Sequence, residues 1–237
     1  MTLITASERL LNRMPARAGR LATAWLEHRG VNIITDARVR NATAGSKAIE
    51  GGVITLDNGR TVKADLLFPC LGSPPCTQHV AIAGTTIPQG VTIGVTSTGQ
   101  VLDANRQPLA HVYAAGDACS SSGEKNALNA DLNAKLCVRN LCATLRSGKD
   151  APSAPLATWP SDVCFGRRKS PDVVVVSLYK WCAIMQINSI VFSGAFPAFV
   201  KWMIEFMQLR TAKGDTVITG LWNMAETLTI FVASFIP

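Results

Sequence analysis

No G-x-G-x-x-G stretch occurs anywhere in the 237 residues. The chain therefore carries no glycine-rich loop of the kind that presents a pyrophosphate to a helix amino terminus. C-x-x-C is also missing, and the seven cysteines, Cys70, Cys76, Cys119, Cys137, Cys142, Cys164 and Cys182, stand without a matching histidine spacing. That argues against a zinc ribbon and a redox dithiol, and the odd count among apolar neighbours predicts buried thiols in a reducing compartment. G-x-S-x-G does not occur, and His28, His79 and His111 have no nucleophile pattern around them, so a hydrolase reading finds no support. Charge is sparse at 16 % of residues, and no basic run is longer than Arg167-Arg168-Lys169. The formal charge of +7 would suit nucleic acid, anionic lipid or phosphate-bearing cofactors. Without basic residues interleaved with aromatics, nucleic-acid binding is not expected. A signal peptide is not expected either, since Arg9, Asn12 and Arg13 follow at once on the short Met1 to Ala6.

What is present is a chain that is 48 % hydrophobic and long enough for one large or two small domains. Its most informative stretch is Ala110 to Asn126, AHVYAAGDACSSSGEKN. His111 to Ala115 read as a short buried strand, and Gly116 ends it where a side chain would block a ligand. Asp117 then sits at the carboxyl end of that strand, where open α/β sheets bind ligands and where a short acid can accept from sugar-like hydroxyls. From Lys125 the spacing predicts a helix, with Leu128, Leu132 and Leu136 on one face and Ala134, Val138, Leu141 and Leu145 beside them. An ordinary strand-to-helix corner with a Gly-Asp turn accounts for the same residues.

Elsewhere Met1 to Ala6 alternates like a strand, Pro15 to His28 reads as a helix capped by Gly30, and Val31 to Ile34 resumes a strand. Such a unit implies parallel pairing. Val53 to Leu56 and Thr61 to Leu67 flank Asp57-Asn58-Gly59, which predicts a type I′ hairpin turn. Short strands with turns at Gly90, Gly99 and Asn105 to Pro108 fill 80–109, and the later helix is expected to stop near Arg146, Ser147 and Gly148. Ala151 to Pro160, with three prolines, reads as a linker. The 20 uncharged residues between Lys180 and Lys201 are long enough for a membrane span. Gln186, Asn188, Ser189, Ser193, Gly194 and Pro197 interrupt them, so strands are expected instead. Phe199 to Leu209 and Leu221 to Phe235 follow as helices, with a closed core favoured over lipid contact for the apolar runs.

VYAAGD followed by a Lys-led helix resembles the second flavin-binding motif of pyridine nucleotide-disulfide oxidoreductase-like flavoproteins, and within them the ferroptosis-suppressor-like and type II NADH dehydrogenase group. The resemblance implies that Asp117 holds the ribityl chain of FAD, that Gly116 permits its approach, and that Lys125 stands as a cation near the ring. ERLLNRMPARAG with the following W-L-E-x-R-G-V is similar to the middle of the NAD(P)H-binding domain. There Glu8 is the acid that would read the adenosine ribose, while Ser7 and Arg9 would equally tolerate a 2′-phosphate. A solvated helix approach explains Glu8 and Arg9 as well. Cys70-Leu-Gly-Ser-Pro-Pro-Cys-Thr is similar to the family's A-T-G-x-x-P-N-T turn, with Gly72, Pro75 and Thr77 matching and Cys70 and Cys76 departing.

The expected fold is α/β, a partial two-dinucleotide-binding, Rossmann-like flavoprotein lacking both glycine fingerprints, with an α+β carboxy-terminal region. Its expected divisions are 1–79 for the second half of an NAD(P)H-binding domain, 80–148 for the carboxy-terminal part of an FAD-binding domain, and 149–237 for the linker and apolar remainder. The resemblance implies the carboxy-terminal portion of an FAD-dependent NAD(P)H oxidoreductase that passes electrons to a quinone-like acceptor. The rival expectation is a non-catalytic remnant acting as a partner- or membrane-binding module. A cytoplasmic location is expected, with peripheral membrane contact through the carboxy-terminal region and homo-oligomerisation left open.

Overall fold

A computed structural model describes all residues except 41–48, 73, 78–79, 83–84, 89 and 148–153. The chain opens with β1 (Thr2–Ile4), α1 (Ala16–His28) and β2 (Asn32–Ile34). β1 and β2 pair in parallel, Leu3 opposite Ile33, as the strand–helix–strand pattern predicts. Ala18, Gly19 and Ala22 line the buried side of α1, small residues that let the helix lie close to its neighbours. The β3 (Ile49–Thr55) and β4 (Thr61–Leu67) hairpin is antiparallel.

Its turn differs from the expected type I′. Leu56 N–H donates to the Arg60 carbonyl at 2.8 Å and Gly59 N–H to the Leu56 carbonyl at 3.1 Å, leaving three residues in the loop. Gly59 alone has a positive φ, of 81°, which is the type I turn with a glycine bulge. Asp57 decides the difference: its Oδ1 accepts from the N–H groups of Arg38 at 3.0 Å and Asn58 at 2.9 Å. Those bonds draw Asn58 into the ordinary right-handed turn and tie the hairpin to the strand end before it.

The middle of the chain holds the short strands β5 (Ala81–Ile82), β6 (Thr85–Thr86), β7 (Gln100–Leu102) and β8 (Pro108–Tyr113), then α2 (Ala127–Ser147). The last third contains β9 (Val173–Tyr179), β10 (Cys182–Ile187), β11 (Ile190–Gly194), α3 (Ala195–Ala212) and α4 (Thr216–Ser234). β9, β10 and β11 form one three-stranded sheet in the order β11–β10–β9. The uncharged run after Lys180 is thus two strands and the start of a helix, because its polar residues fall in the turn and strand ends. Both terminal helices begin earlier than expected, α4 because Asp215 caps it by accepting from the Ile218 N–H at 3.2 Å.

Two compact units result: Met1–Pro74 with Val175–Phe206, and Pro75–Val174 with Met207–Pro237. In the first, Ile34, Ala37 and Leu56 form a small core with Ile4, Val39 and Val62, and α1 packs on β10 and β11. In the second, Leu132 and Leu136 of α2 meet Ala157, Trp159, Cys164 and Ile230. A further cluster joins Ile93, Val101 and Cys119.

The segment read as a linker is packed where it is described, 154–160; Pro152 lies outside the described residues, as do Gly148 and His79. Trp159 is buried, its N–H donates to the Ser97 carbonyl at 2.7 Å, and its Nε1 donates to the Ser122 carbonyl at 2.9 Å. Proline content marked irregular backbone correctly but carried no information on burial. The buried face of α2 also differs from the leucine stripe. Asn129, Asn133, Asn140 and Thr144 line it beside Leu132, Leu136 and Cys137, while Val138 and Leu145 face solvent.

Candidate functional site

The site is assembled on the corner between β8 and α2, in the second unit. β8 ends at Tyr113, whose hydroxyl pairs with Thr144 Oγ1 at 3.1 Å. The strand lies earlier in the chain than the sequence suggests, and it is antiparallel to β7 with His111 and Val112 exposed. β7 is its one neighbour among the described residues, so the alternate side chains of a strand read as buried have nothing to cover them.

Past the strand the chain turns at Gly116, whose φ of 86° is left-handed backbone that glycine adopts freely. The Cys119 N–H closes the turn on the Gly116 carbonyl at 3.1 Å. Ile93 then fixes the next residues, its N–H donating to the Ala118 carbonyl at 2.8 Å and its carbonyl accepting from Ser120 at 2.9 Å. Val95 N–H adds a bond to Ser120 Oγ at 3.0 Å. Asp117 projects from this anchored loop with its side chain exposed, and no hydrogen bond to it exists among the described residues. A carboxylate on rigid backbone, unspent on the protein, is an acceptor ready for an outside donor.

Lys125 lies on the same loop, and its Nζ donates to the carbonyls of Cys119 at 2.5 Å and Ser121 at 3.1 Å. Its charge ties the loop together and stands beside the Cys119 thiol. Burial nevertheless raises that thiol above its ordinary range, with Lys125 only partly offsetting it, so Cys119 is a packing residue. α2 starts at Ala127 rather than Lys125 because Asn126 is its cap, its Oδ1 accepting from the Asn129 N–H at 2.9 Å.

Gly116, Asp117 and Lys125 are therefore brought together, and Pro75 belongs to the same unit, its carbonyl accepting from the Gly90 N–H at 3.3 Å. Thr77 beside it is buried, its Oγ1 donating to the Val91 carbonyl at 2.7 Å. Glu8 and Gly72 belong to the first unit, both exposed. Arg9 is spent on backbone, donating to the carbonyls of Leu11 at 3.0 Å, Asn12 at 2.8 Å and Met14 at 2.9 Å. That clamp leaves it poorly placed to meet a 2′-phosphate.

Sequence reasoning missed a second polar constellation in this unit. Lys135 contacts both Glu226 and Asp131, the latter at 3.1 Å, and Trp222 Nε1 donates to Asp131 Oδ2 at 2.8 Å. Asp131 and Lys135 are visible as an i, i+4 pair, but nothing in the sequence links them to α4. Burial pushes Glu226 up to about 7 with the Asp131 carboxylate adding to it, against the pull of Lys135. Burial also acts to raise Asp131, yet hydrogen bonds from Trp222 and Lys135 hold it below the ordinary carboxylate range. Among the described residues no group of His, Cys, Asp and Glu is placed to hold a metal ion.

Comparison with known proteins completes the picture. The family model described as pyridine nucleotide-disulphide oxidoreductase matches residues 1–134, a span that includes Glu8, Gly72, Pro75, Gly116, Asp117 and Lys125. The putative mitochondrial apoptosis-inducing factor 1 of Drosophila melanogaster is 30 % identical over 105 residues, which is 44 % of this chain and 13 % of that protein. The water-forming NADH oxidase of Lactobacillus brevis is 18 % identical with a TM-score of 0.49, covering 78 % of this chain and 36 % of that one. The ferredoxin reductase for the CYP199A2 system of Rhodopseudomonas palustris is 16 % identical with a TM-score of 0.47, covering 81 % of this chain and 49 % of that one. The chain thus spans less than half the length of each. Its class is α/β and Rossmann-like, the class expected from the sequence.

Proposed function

We propose that this chain, which belongs to the pyridine nucleotide-disulphide oxidoreductase family, is the carboxy-terminal portion of an FAD-dependent NAD(P)H oxidoreductase. In this reading Asp117 accepts hydrogen bonds from the ribityl hydroxyls of FAD, and Gly116 keeps a side chain from the approach. One observation carries it: a carboxylate with no partner of its own, held on a loop whose other polar atoms are engaged. The donor chemistry fits that end of the cofactor, since a polyol offers hydroxyl donors and Asp117 is an uncommitted acceptor. It does not fit the pyrophosphate end, for which the sequence holds no glycine fingerprint.

When bound, FAD supplies the electron-accepting chemistry, and the protein contributes binding and electrostatics. Lys125 rigidifies the loop that carries Asp117 and keeps a positive charge beside it. Gly72 and Pro75 shape the turn after the nicotinamide-binding half, and Glu8 is the residue assigned to the adenosine ribose. We assign the acceptor to the quinone class and the chain to the ferroptosis-suppressor-like and type II NADH dehydrogenase group, on the Lys that precedes α2. A reducing, cytoplasmic setting suits seven cysteines that form no disulfide.

A second reading, a partner- or membrane-binding module without catalysis, is favoured by the carboxy-terminal helices. On α4, Val217, Leu221, Met224, Leu228, Phe231 and Phe235 are exposed at three- and four-residue spacing. Among the described residues, α4 is the one helix long and apolar enough to cross a membrane. On α3, Phe199, Trp202 and Phe206 are exposed, the last two stacked at 5.8 Å. Purification of the 237-residue chain separates the readings. Flavin absorbance co-eluting with the protein supports the oxidoreductase, while a colourless protein that sediments with liposomes supports the module.

A further inference from the structure

A cavity of about 590 Å³ opens in the first unit between α1 and the β9–β11 sheet, away from every residue discussed so far. That volume lies in the range of small-molecule sites. Trp25 and Leu21 of α1 form one wall, and Leu178, Tyr179, Trp181 and Cys182 form another. The Trp25 and Tyr179 rings are 6.4 Å apart at 32°. The Arg29 guanidinium lies 4.7 Å from the first ring centroid and 5.8 Å from the second. Lys180 adds a second cation, 5.6 Å from the Trp181 ring.

Two features set this slot apart from ordinary aromatic packing. No Asp or Glu lines it. No carboxylate or carbonyl accepts from the Arg29 side chain among the described residues, so its donors are uncommitted. Stacking on two rings holds a guanidinium flat and reduces the rotamer freedom lost on binding, while its N–H edge stays available for two parallel bonds to a carboxylate. A cationic ligand would meet Arg29 and Lys180 with like charge, and a neutral one would leave the fork unused.

We propose that this slot binds a small organic anion, a flat apolar body lodged against Trp25, Tyr179 and Trp181 with a carboxylate paired to Arg29. The assignment goes beyond the flavin reading and does not depend on it. Isothermal titration of the full chain with 2-naphthoate, and with the neutral 2-naphthamide as control, tests it. The acid binds saturably at one site, and the amide binds at least about tenfold more weakly, the difference a charge-assisted bidentate pair makes. Arg29→Gln weakens the acid by about tenfold and leaves the amide unchanged; Arg29→Lys, which keeps the charge without the fork, falls between. Asp117→Ala changes neither titration, so the result stands apart from any result on FAD. The side chain of Arg29 is exposed, so these variants keep the fold, which near-ultraviolet circular dichroism checks. Equal affinity for acid and amide in the unaltered chain, or no saturable binding of the acid, overturns the proposal without recourse to any variant.

Discussion

The side chain of Asn140 grips the backbone of Ala157 at both polar atoms: Oδ1 accepts from its N–H at 2.9 Å and Nδ2 donates to its carbonyl at 2.8 Å. The second Nδ2 hydrogen goes to the Thr98 carbonyl at 2.9 Å. One buried amide thereby docks α2 against both the strap around Trp159 and the loop before β7. Truncation would leave three backbone groups unpaired in a dry site, where each orphan costs about 1–3 kcal/mol less any relief from entering water. Asn140→Ala is expected to destabilise the chain by about 2–4 kcal/mol. Urea unfolding read through tryptophan fluorescence measures it, and a loss below about 0.5 kcal/mol would mean the bonds are readily replaced by water.

Glu226 makes stability depend on pH in the direction opposite to an ordinary salt-bridged acid. Its Oε1 is buried without a partner, and burial lifts the group from 4.5 to about 7 although Lys135 contacts the other oxygen. Between those values the folded chain keeps a proton that the unfolded chain has released, so stability falls as pH rises through this window. Asp131 acts in the opposite sense, but only below its unfolded value of 3.8, outside the window. The expected loss from this group between about pH 4.5 and pH 7 is on the order of 2 kcal/mol. Denaturation midpoints of the unaltered chain should drop across that range, and those of Glu226→Gln should stay level. Parallel profiles for the two proteins would show that Glu226 is ionised throughout.

The cysteines divide by burial. Cys70 and Cys76 are exposed, whereas Cys119, Cys137 and Cys164 are buried, the last pushed up to about 11 by loss of solvent. Only a thiolate reacts quickly, so alkylation of the native chain at neutral pH should mark Cys70 and Cys76 first. Peptide mass spectrometry after brief iodoacetamide treatment should find Cys164 unmodified until denaturant is added. Early labelling of Cys164 would contradict the packing of the Leu132, Trp159 and Ile230 core.

Local pattern was readable where local physics decides. The parallel β1–α1–β2 unit, the β10 and β11 strands in an uncharged run, and the Gly116–Asp117 turn all follow from spacing and turn residues. Legibility failed where a distant partner decides. Nothing near Asp57 in the sequence announces that Arg38 will claim its side chain and change the turn. Helical periodicity weighs leucines and overlooks asparagines, yet Asn140 is buried because the strap brings it a matching donor and acceptor. Glu226 looks like one more charge on a greasy helix until α2 supplies Lys135. Only Cys70 and Cys76 broke the expectation of buried thiols, both in the irregular stretch after β4, where little backbone or side chain covers them.

The claim on which the functional reading stands is that the Asp117 carboxylate holds the sugar-alcohol arm of FAD. The direct test measures FAD affinity by flavin fluorescence in the presence of a polypeptide carrying a family member's glycine fingerprints, supplied in trans or fused in frame. Asp117→Ala should weaken binding by about tenfold to a hundredfold, the cost of losing charge-assisted hydrogen bonds to two hydroxyls, while Asp117→Asn retains part of it. Undiminished affinity in Asp117→Ala, with the fold intact by circular dichroism, would contradict the account.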